Sequence, residues 1–245
     1  MIEDALIIIP AFNEAAVIED TLAGVKKFAA HALVVNDGSG DDTARRASRA
    51  GAIVLSHAAN LGYGATLKTG FTYALRHRQE PYLITFDADG QHDPSFLESL
   101  LSPLRKGAAD YVIGSRFLAG PAPSTPVARK IGSRLFSLAA SAVTGLKITD
   151  PTSGMLALTR NVAKVFASNL FPLDFPDADV LIMLSRMGYS ICEAPVKMHP
   201  AKRPGSMHAG VLKPAYYICK MSVSMVHFAL RRDLKALRRE MENAG

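Results

Sequence analysis

Residues 82–94 read YLITFDADGQHDP. An apolar, β-forming run, Tyr82–Phe86, passes into a polar turn, Asp87–His92. Asp93 and Pro94 then make an N-cap and first-turn pair, opening a helix predicted over Pro94–Lys106. A short apolar run closed by turn residues is the pattern of a strand buried on both faces. The same unit recurs on either side. Leu6–Pro10, Ala32–Asn36, Ala52–Leu55 and Asp110–Gly114 read as strands. Glu14–Phe28, Asp42–Ala50 and Gly62–Arg78 read as helices between them. This alternation predicts an α/β fold: a mostly parallel, doubly wound sheet with right-handed crossovers.

The second half is less regular. Gly120–Pro126 is a Pro-rich loop and Ala128–Thr144 a helix. Gly154–Thr159 and Ile191–Met198 read as strands, with a helix at Ala178–Met187 between them. Ala201–Gly210 is a polar, Gly-containing loop, and Val211 to about Met241 reads as one long helix.

At 245 residues the chain holds one large domain, or a domain with a tail. With 49% hydrophobic and 20% charged residues it is not a disordered chain. A net charge of +6 suits nucleic acid, an anionic membrane or phosphate-bearing substrates. No aromatic–basic interleaving supports nucleic acid. Arg231, Arg232, Lys235, Arg238 and Arg239 instead crowd the C-terminal stretch. Cys192 and Cys219 form no C-x-x-C pair, so two free thiols in a reducing compartment are expected. The start, MIEDALIIIPAFNE, carries acids where a secretory leader is basic. No uncharged apolar stretch reaches about 18 residues, so no membrane-spanning helix is predicted; the expected location is cytoplasmic, peripherally membrane-associated.

In an open α/β sheet, ligands bind beyond the carboxyl ends of the strands. Three polar clusters fall at such ends: Pro10-Ala11-Phe12-Asn13-Glu14, Asn36-Asp37-Gly38-Ser39 and Asp87-Ala88-Asp89-Gly90-Gln91-His92. Parallel strands bring all three to one crevice. Asp87, Asp89 and Gln91 offer hard oxygen ligands for Mg²⁺ or Mn²⁺, with a diphosphate filling the remaining positions. Two plainer readings compete. One is Asx-turn chemistry ending a strand. The other is a calcium loop through Asp87, Asp89, Gln91, Asp93 and Glu98, in which His92 stands where Gly is required. A dinucleotide fold fails because PAFNE, not a glycine fingerprint, follows the first strand; Gly62-Tyr63-Gly64 reads as a helix-opening turn. No nucleophile elbow accompanies the histidines.

Taken in order, PAFNE, VVNDGSGDDT, NLGYGATLKTG, DADGQHDP, VIGSRF and DPTSGM resemble glycosyltransferase family 2 over roughly residues 5–210. The branch they resemble is the dolichyl- or polyprenyl-phosphate sugar transferases. The resemblance implies the GT-A fold, a Rossmann-like nucleotide-sugar-binding domain over residues 1–210; residues 211–245 read by their own pattern as a C-terminal amphipathic helix. It implies that Pro10, Phe12 and Glu14 line the nucleotide pocket, with Phe12 where members usually have Tyr. Val35 and Asp37 would flank the base, Asp37 accepting from its N–H groups, and Asn36 replaces a common Asp. Asp87, Ala88 and Asp89 would be the D-x-D segment. Asp89 and Gln91 would hold the metal, and Asp87 the ribose or the metal. Arg116 would reach a phosphate. Arg129 and Arg134 match a basic helix near the acceptor phosphate. The branch's R-x-x-G-x-S-K loop departs here to Lys202-Arg203-Pro204-Gly205-Ser206-Met207-His208. Met207 takes the Lys slot, leaving Lys202, Arg203 or His208 to meet the donor diphosphate.

The expected reaction is metal-assisted, inverting transfer from a nucleoside diphosphate-sugar. A lipid-phosphate acceptor needs no general base; a hydroxyl acceptor would need one, for which Asp150, Asp177 or Asp179 is available. On the last helix Lys213, Lys220, Ser224, His227 and Arg231 form a polar stripe against a wide apolar face, and Lys130, Arg134, Ser137, Ser141 and Thr144 form another. Such helices fit a membrane surface, an integral-membrane partner or a homo-oligomer. Two further readings are a non-catalytic nucleotide-sugar-binding subunit and a nucleotidyltransferase, the latter lacking its glycine-rich phosphate loop.

Overall fold

The computed structural model describes residues 1–118, 127–174, 176–199 and 212–243; for 127–133 and 212–215 it describes the backbone alone. The strands are β1 (Ile2–Ala11), β2 (Ala29–Asn36), β3 (Ile53–Ser56), β4 (Tyr82–Thr85), β5 (Tyr111–Ser115), β6 (Leu156–Thr159) and β7 (Ile191–Pro195). They form one seven-stranded sheet ordered β3-β2-β1-β4-β6-β5-β7. Pairing is parallel except at β6, which runs antiparallel to both β4 and β5. The sheet is therefore mixed, and mostly parallel as expected.

Helices cover both faces, which is why the central strands read as continuous apolar runs. In β1, Leu6 and Ile8 enter one core while Ile7 and Ile9 enter the other, all four without exposed surface. Each such burial contributes about 2 kcal/mol. The second core is closed by α1 (Ile18–Lys26), α2 (Thr43–Arg49) and α4 (Leu97–Arg105). The first is closed by α3 (Tyr63–His77), α5 (Val127–Thr144), α6 (Arg160–Ala167), α7 (Ala178–Met187), α8 (Leu212–Leu230) and α9 (Leu234–Asn243).

Two elements differ from expectation. The long C-terminal helix is broken at residues 231–233. There Asp233 pairs with Arg231 (2.8 Å) and its carbonyl takes the N–H groups of Ala236 and Leu237, starting α9 afresh. Helix α6 was not anticipated, because Arg160 follows β6 without a punctuating Gly or Pro.

Strand order reverses about β1: β2 and β3 lie on one side, β4 on the other. The carboxyl ends of β1, β2 and β4 thus meet at a topological switch point, where a crevice opens.

Candidate active site

The first two clusters are stitched together by hydrogen bonds. Asn13 adopts a left-handed backbone, φ +57°, and its Oδ1 accepts from Gly40 N (2.9 Å). Asn13 N donates to Ser39 Oγ (2.9 Å) and Glu14 N to Thr43 Oγ1 (2.8 Å). Pro10 and Val35 are register partners. Val35 is fully buried and packs beneath the rim, whereas the Phe12 ring is 45% exposed. Asp37 serves the protein's own backbone. Its Oδ1 accepts from His57 Nδ1 (2.7 Å) and Leu61 N (2.9 Å), and its Oδ2 from Gly62 N (2.9 Å). It thereby shapes the Gly62 turn that opens α3, and by donor–acceptor count Oδ2 has room for one further donor.

The third cluster carries two carboxylates in one turn. Asp87 Oδ2 accepts from His92 Nε2 (2.9 Å), and Tyr63 OH donates to Asp87 Oδ1 (3.4 Å). Burial works against ionisation of Asp87, but these bonds, the His92 ring and the Arg116 charge prevail and hold its carboxyl below the usual range. Asp89 goes the other way: burial, and then the charge of Asp87, raise it. Asp89 Oδ1 accepts from Gln91 N (2.9 Å), which closes the turn. The turn is tied to the segment after β7 by His199 N to Gln91 O (2.6 Å), Asp93 N to Lys197 O (3.3 Å) and a bridge between His92 and Met198.

Because β6 is antiparallel, its start rather than its end lies beside Asp87. A Cβ at Gly154 would stand 2.3 Å from Asp87 Oδ2, so the carboxylate occupies space that only glycine leaves. At the end of β5, Arg116 makes a two-pronged pair with Asp150 (Nε and Nη2, both 2.6 Å). Asp150 is wholly buried and Arg116 mostly so, at 13% exposed. At the start of α7, burial pushes the Asp177 carboxyl up to about 6, aided by the charge of Asp179; a hydrogen bond from Tyr217 OH (2.8 Å) opposes it.

The structure therefore brings Asp87, Ala88, Asp89 and Gln91 into one turn, with Arg116 close enough for its charge to act on Asp87. Arg134 is exposed on α5. The Arg129 side chain, and Lys202, Arg203, Met207 and His208, lie outside the described residues. The calcium-loop reading fails. Asp93 Oδ1 is committed as a cap to Ser95 N (3.0 Å), and a 3-10 turn over Pro94–Phe96 begins inside the supposed loop. Among the described residues no group of three His, Cys, Asp or Glu side chains forms a metal cage. Two carboxylates and an amide oxygen, one carboxylate opposing ionisation of the other, fit Mg²⁺ or Mn²⁺, which keep waters and substrate phosphates as ligands. The Tyr63 and His92 contacts to Asp87 were missed in the sequence. Tyr63 sits in Gly62-Tyr63-Gly64 and His92 in the D-x-D turn itself, so both were in view without a partner assigned.

Residues 6–166 match the family model described as glycosyl transferase family 2. The undecaprenyl-phosphate mannosyltransferase of Micrococcus luteus is 32% identical over 203 residues, covering 78% of this chain and 82% of that protein. The UDP-N-acetylglucosamine–dolichyl-phosphate N-acetylglucosaminyltransferase of Methanococcus voltae is 26% identical over 212 residues, covering 78% and 84%. Among solved structures, glucosyl-3-phosphoglycerate synthase of Mycobacterium tuberculosis, in complex with Mn²⁺, UDP and phosphoglyceric acid, superposes with a TM-score of 0.64 at 19% identity, covering 92% of this chain and 78% of that one. That likeness gives the GT-A architecture. The chain belongs to glycosyltransferase family 2, in the branch of dolichyl- and polyprenyl-phosphate sugar transferases, and is a glycosyltransferase.

Proposed function

We propose that the protein is a metal-dependent, inverting enzyme that moves a sugar from a nucleoside diphosphate-sugar to a polyprenyl or dolichyl phosphate at the cytoplasmic face of a membrane. The observation that carries this reading is the pair Asp87 and Asp89, two carboxylates in one turn with the charge of one opposing ionisation of the other. Asp89, Gln91 and Asp87 would hold Mg²⁺ or Mn²⁺, which when bound neutralises charge on the leaving diphosphate. Pro10, Phe12, Glu14, Asp37 and Ala88 form the nucleotide side of the crevice, Val35 packs beneath it, and Arg116 holds a phosphate. Lys202 and Arg203 add cations toward the donor, and Arg129 and Arg134 position the acceptor. An acceptor phosphate oxygen forms the new bond to the anomeric carbon. The bond from that carbon to the donor diphosphate breaks, and its electron pair leaves with the nucleoside diphosphate. The acceptor phosphate is ionised near pH 7, so no proton has to be removed.

The acceptor class is supported by the relatives' names and by two helices that bury one apolar face and expose further apolar side chains. On α8, Ser224 Oγ donates to Asp179 Oδ2 (2.5 Å) and Tyr217 OH to Asp177, so these two polar side chains face the protein, while His227 of the same stripe is exposed. Ile218, Val223, Val226 and Leu230 face outward. On α5, Ser137 and Ser141 bond the Ile148 carbonyl inward while Leu135, Leu138 and Val143 are exposed. A surface of this kind fits a bilayer interface. Among the described residues no helix is long and apolar enough to cross a membrane. Residues 1–210 would then carry the transfer, and residues 211–245, together with the outward side of α5, the docking.

Incubating the protein and membranes with a panel of labelled nucleotide-sugars is expected to make one label organic-extractable. Val223→Asp with Val226→Asp is expected to lose that product and keep donor hydrolysis. Water-soluble product alone would exclude the lipid phosphate and leave a transferase.

A hydroxyl acceptor is favoured by one observation, the raised carboxyl of Asp177, whose charge acts on both Tyr63 and Arg116. An acid raised to about 6 is ionised above that pH and protonated below it. If Asp177 is the base, transfer rises with pH through about 6, and Asp177→Asn removes that limb. For a phosphate acceptor, a pH–rate profile of Asp177→Asn keeps the wild-type shape.

A further inference from the structure

We infer that Glu193 is a positioning residue for Arg116, acting through the turn at Thr149-Asp150. The inference rests on the reading of Arg116 as a phosphate-binding group. Glu193 lies on β7, paired in register with Ile113 of β5. No Lys or Arg pairs with it among the described ion pairs. Its carboxylate is spent on three donors of one turn. Glu193 Oε1 accepts from Thr149 N and Asp150 N, both at 2.8 Å. Glu193 Oε2 accepts from Thr149 Oγ1 (2.7 Å). With its proton given to Glu193, Thr149 Oγ1 must accept from Ser115 Oγ (2.7 Å), and Ser115 Oγ in turn accepts from Phe117 N (3.3 Å).

The result is a closed frame around Arg116. Ser115 and Phe117, its chain neighbours, are held from one side. Asp150, its carboxylate partner, is held from the other. Asp150 Oδ2 accepts from both Arg116 N (3.0 Å) and Arg116 Nε (2.6 Å), and Oδ1 from Nη2 (2.6 Å). Arg116 Nη2 also donates to Thr152 Oγ1 (3.1 Å). The guanidinium is thus oriented before any ligand arrives, and Glu193 fixes the height of the turn that orients it. Charge-assisted bonds to backbone N–H groups are short and directional, which makes a carboxylate the right side chain for that task.

Glu193→Gln keeps the shape but offers one acceptor oxygen where two are used. It is expected to lower kcat by on the order of tenfold, since small misplacements of a positioning group cost that much or more. In an Arg116→Lys background the same change is expected to add little, the two losses being one. A readout independent of activity is the Arg116 Nε–H resonance, assigned by its disappearance in Arg116→Lys. It is expected to be shielded from solvent exchange in the parent protein and to lose that shielding in Glu193→Gln. Thr149→Val, which deletes only the bridging hydroxyl, is expected to shift the same signal less and covers the case in which Glu193→Gln fails to fold. An unmoved Nε–H signal in folded Glu193→Gln or Thr149→Val overturns the relay, whatever kcat does. Equal kcat losses in both backgrounds overturn it too. A moved signal with kcat unchanged by Glu193→Gln and by Arg116→Lys leaves the frame intact. It removes the phosphate role of Arg116, and with it the kinetic claim made for Glu193.

Discussion

Asp89→Asn is expected to lower metal-dependent sugar transfer by about 10³-fold, equal to roughly 4 kcal/mol of lost transition-state stabilisation. The amide keeps the oxygen that accepts from Gln91 N but loses the charge that a divalent ion requires. The metal-free protein should not suffer. Asp89 is raised by burial and by the charge of Asp87, so the folded state opposes its ionisation. The sign follows. A carboxyl raised on folding favours the native state at low pH, and that contribution fades as pH climbs through its folded value. At neutral pH a neutral Asn relieves the repulsion, so the thermal midpoint without metal should hold or rise. Function and stability then trade against each other at one residue. Initial rates with and without Mn²⁺, and calorimetric titration of the metal, check the first half; scanning calorimetry checks the second. Retention of more than about a tenth of the parent rate would show that Asp89 does not bind the ion.

Gly38→Ala is expected to cost about 3 kcal/mol, combining about 1 for a left-handed residue with about 2 for overpacking. Gly38 has φ +67°, and a Cβ there would lie 2.4 Å from the Ala59 carbonyl carbon and 2.7 Å from Asn60 N. Those are backbone atoms of the segment that Asp37 grips through His57, Leu61 and Gly62, so relief at one point disturbs the other. For a chain of this size the loss corresponds to a fall of roughly 6–12 °C in thermal midpoint. Thermal unfolding followed by circular dichroism measures it; a midpoint within a degree of the parent would mean that the 57–62 segment yields freely.

Much of this arrangement was legible in the sequence. The apolar runs that became β1, β2 and β4 end in polar turns, and parallel pairing leaves those turns no other place than a common rim. The D-x-D turn was visible because its residues are adjacent. Arg116 with Asp150 was not: partners separated by 34 positions leave no local trace. The direction of β6 was equally hidden, since a four-residue strand alternates the same way read from either end. In the sequence Asp37 reads as a ligand-facing acid, yet three donors from a segment 20 to 25 positions downstream consume most of its capacity. The stripe on α8 is visible in the sequence, but that Ser224 faces inward depends on Asp179, an acid of α7, a helix that the pattern places without orienting.

Strand β6 also sets an order of events for a chain leaving the ribosome. β4 and β5 are both synthesised before it, yet each joins the other only through it. Until Thr159 has emerged, β4 offers an open edge on one side and β5 has no strand to pair with. Unpaired edges are templates for aggregation. A nascent chain stalled just short of β6 therefore carries the whole D-x-D turn on an unfinished sheet, and protection of those edges by a chaperone matters most during that interval.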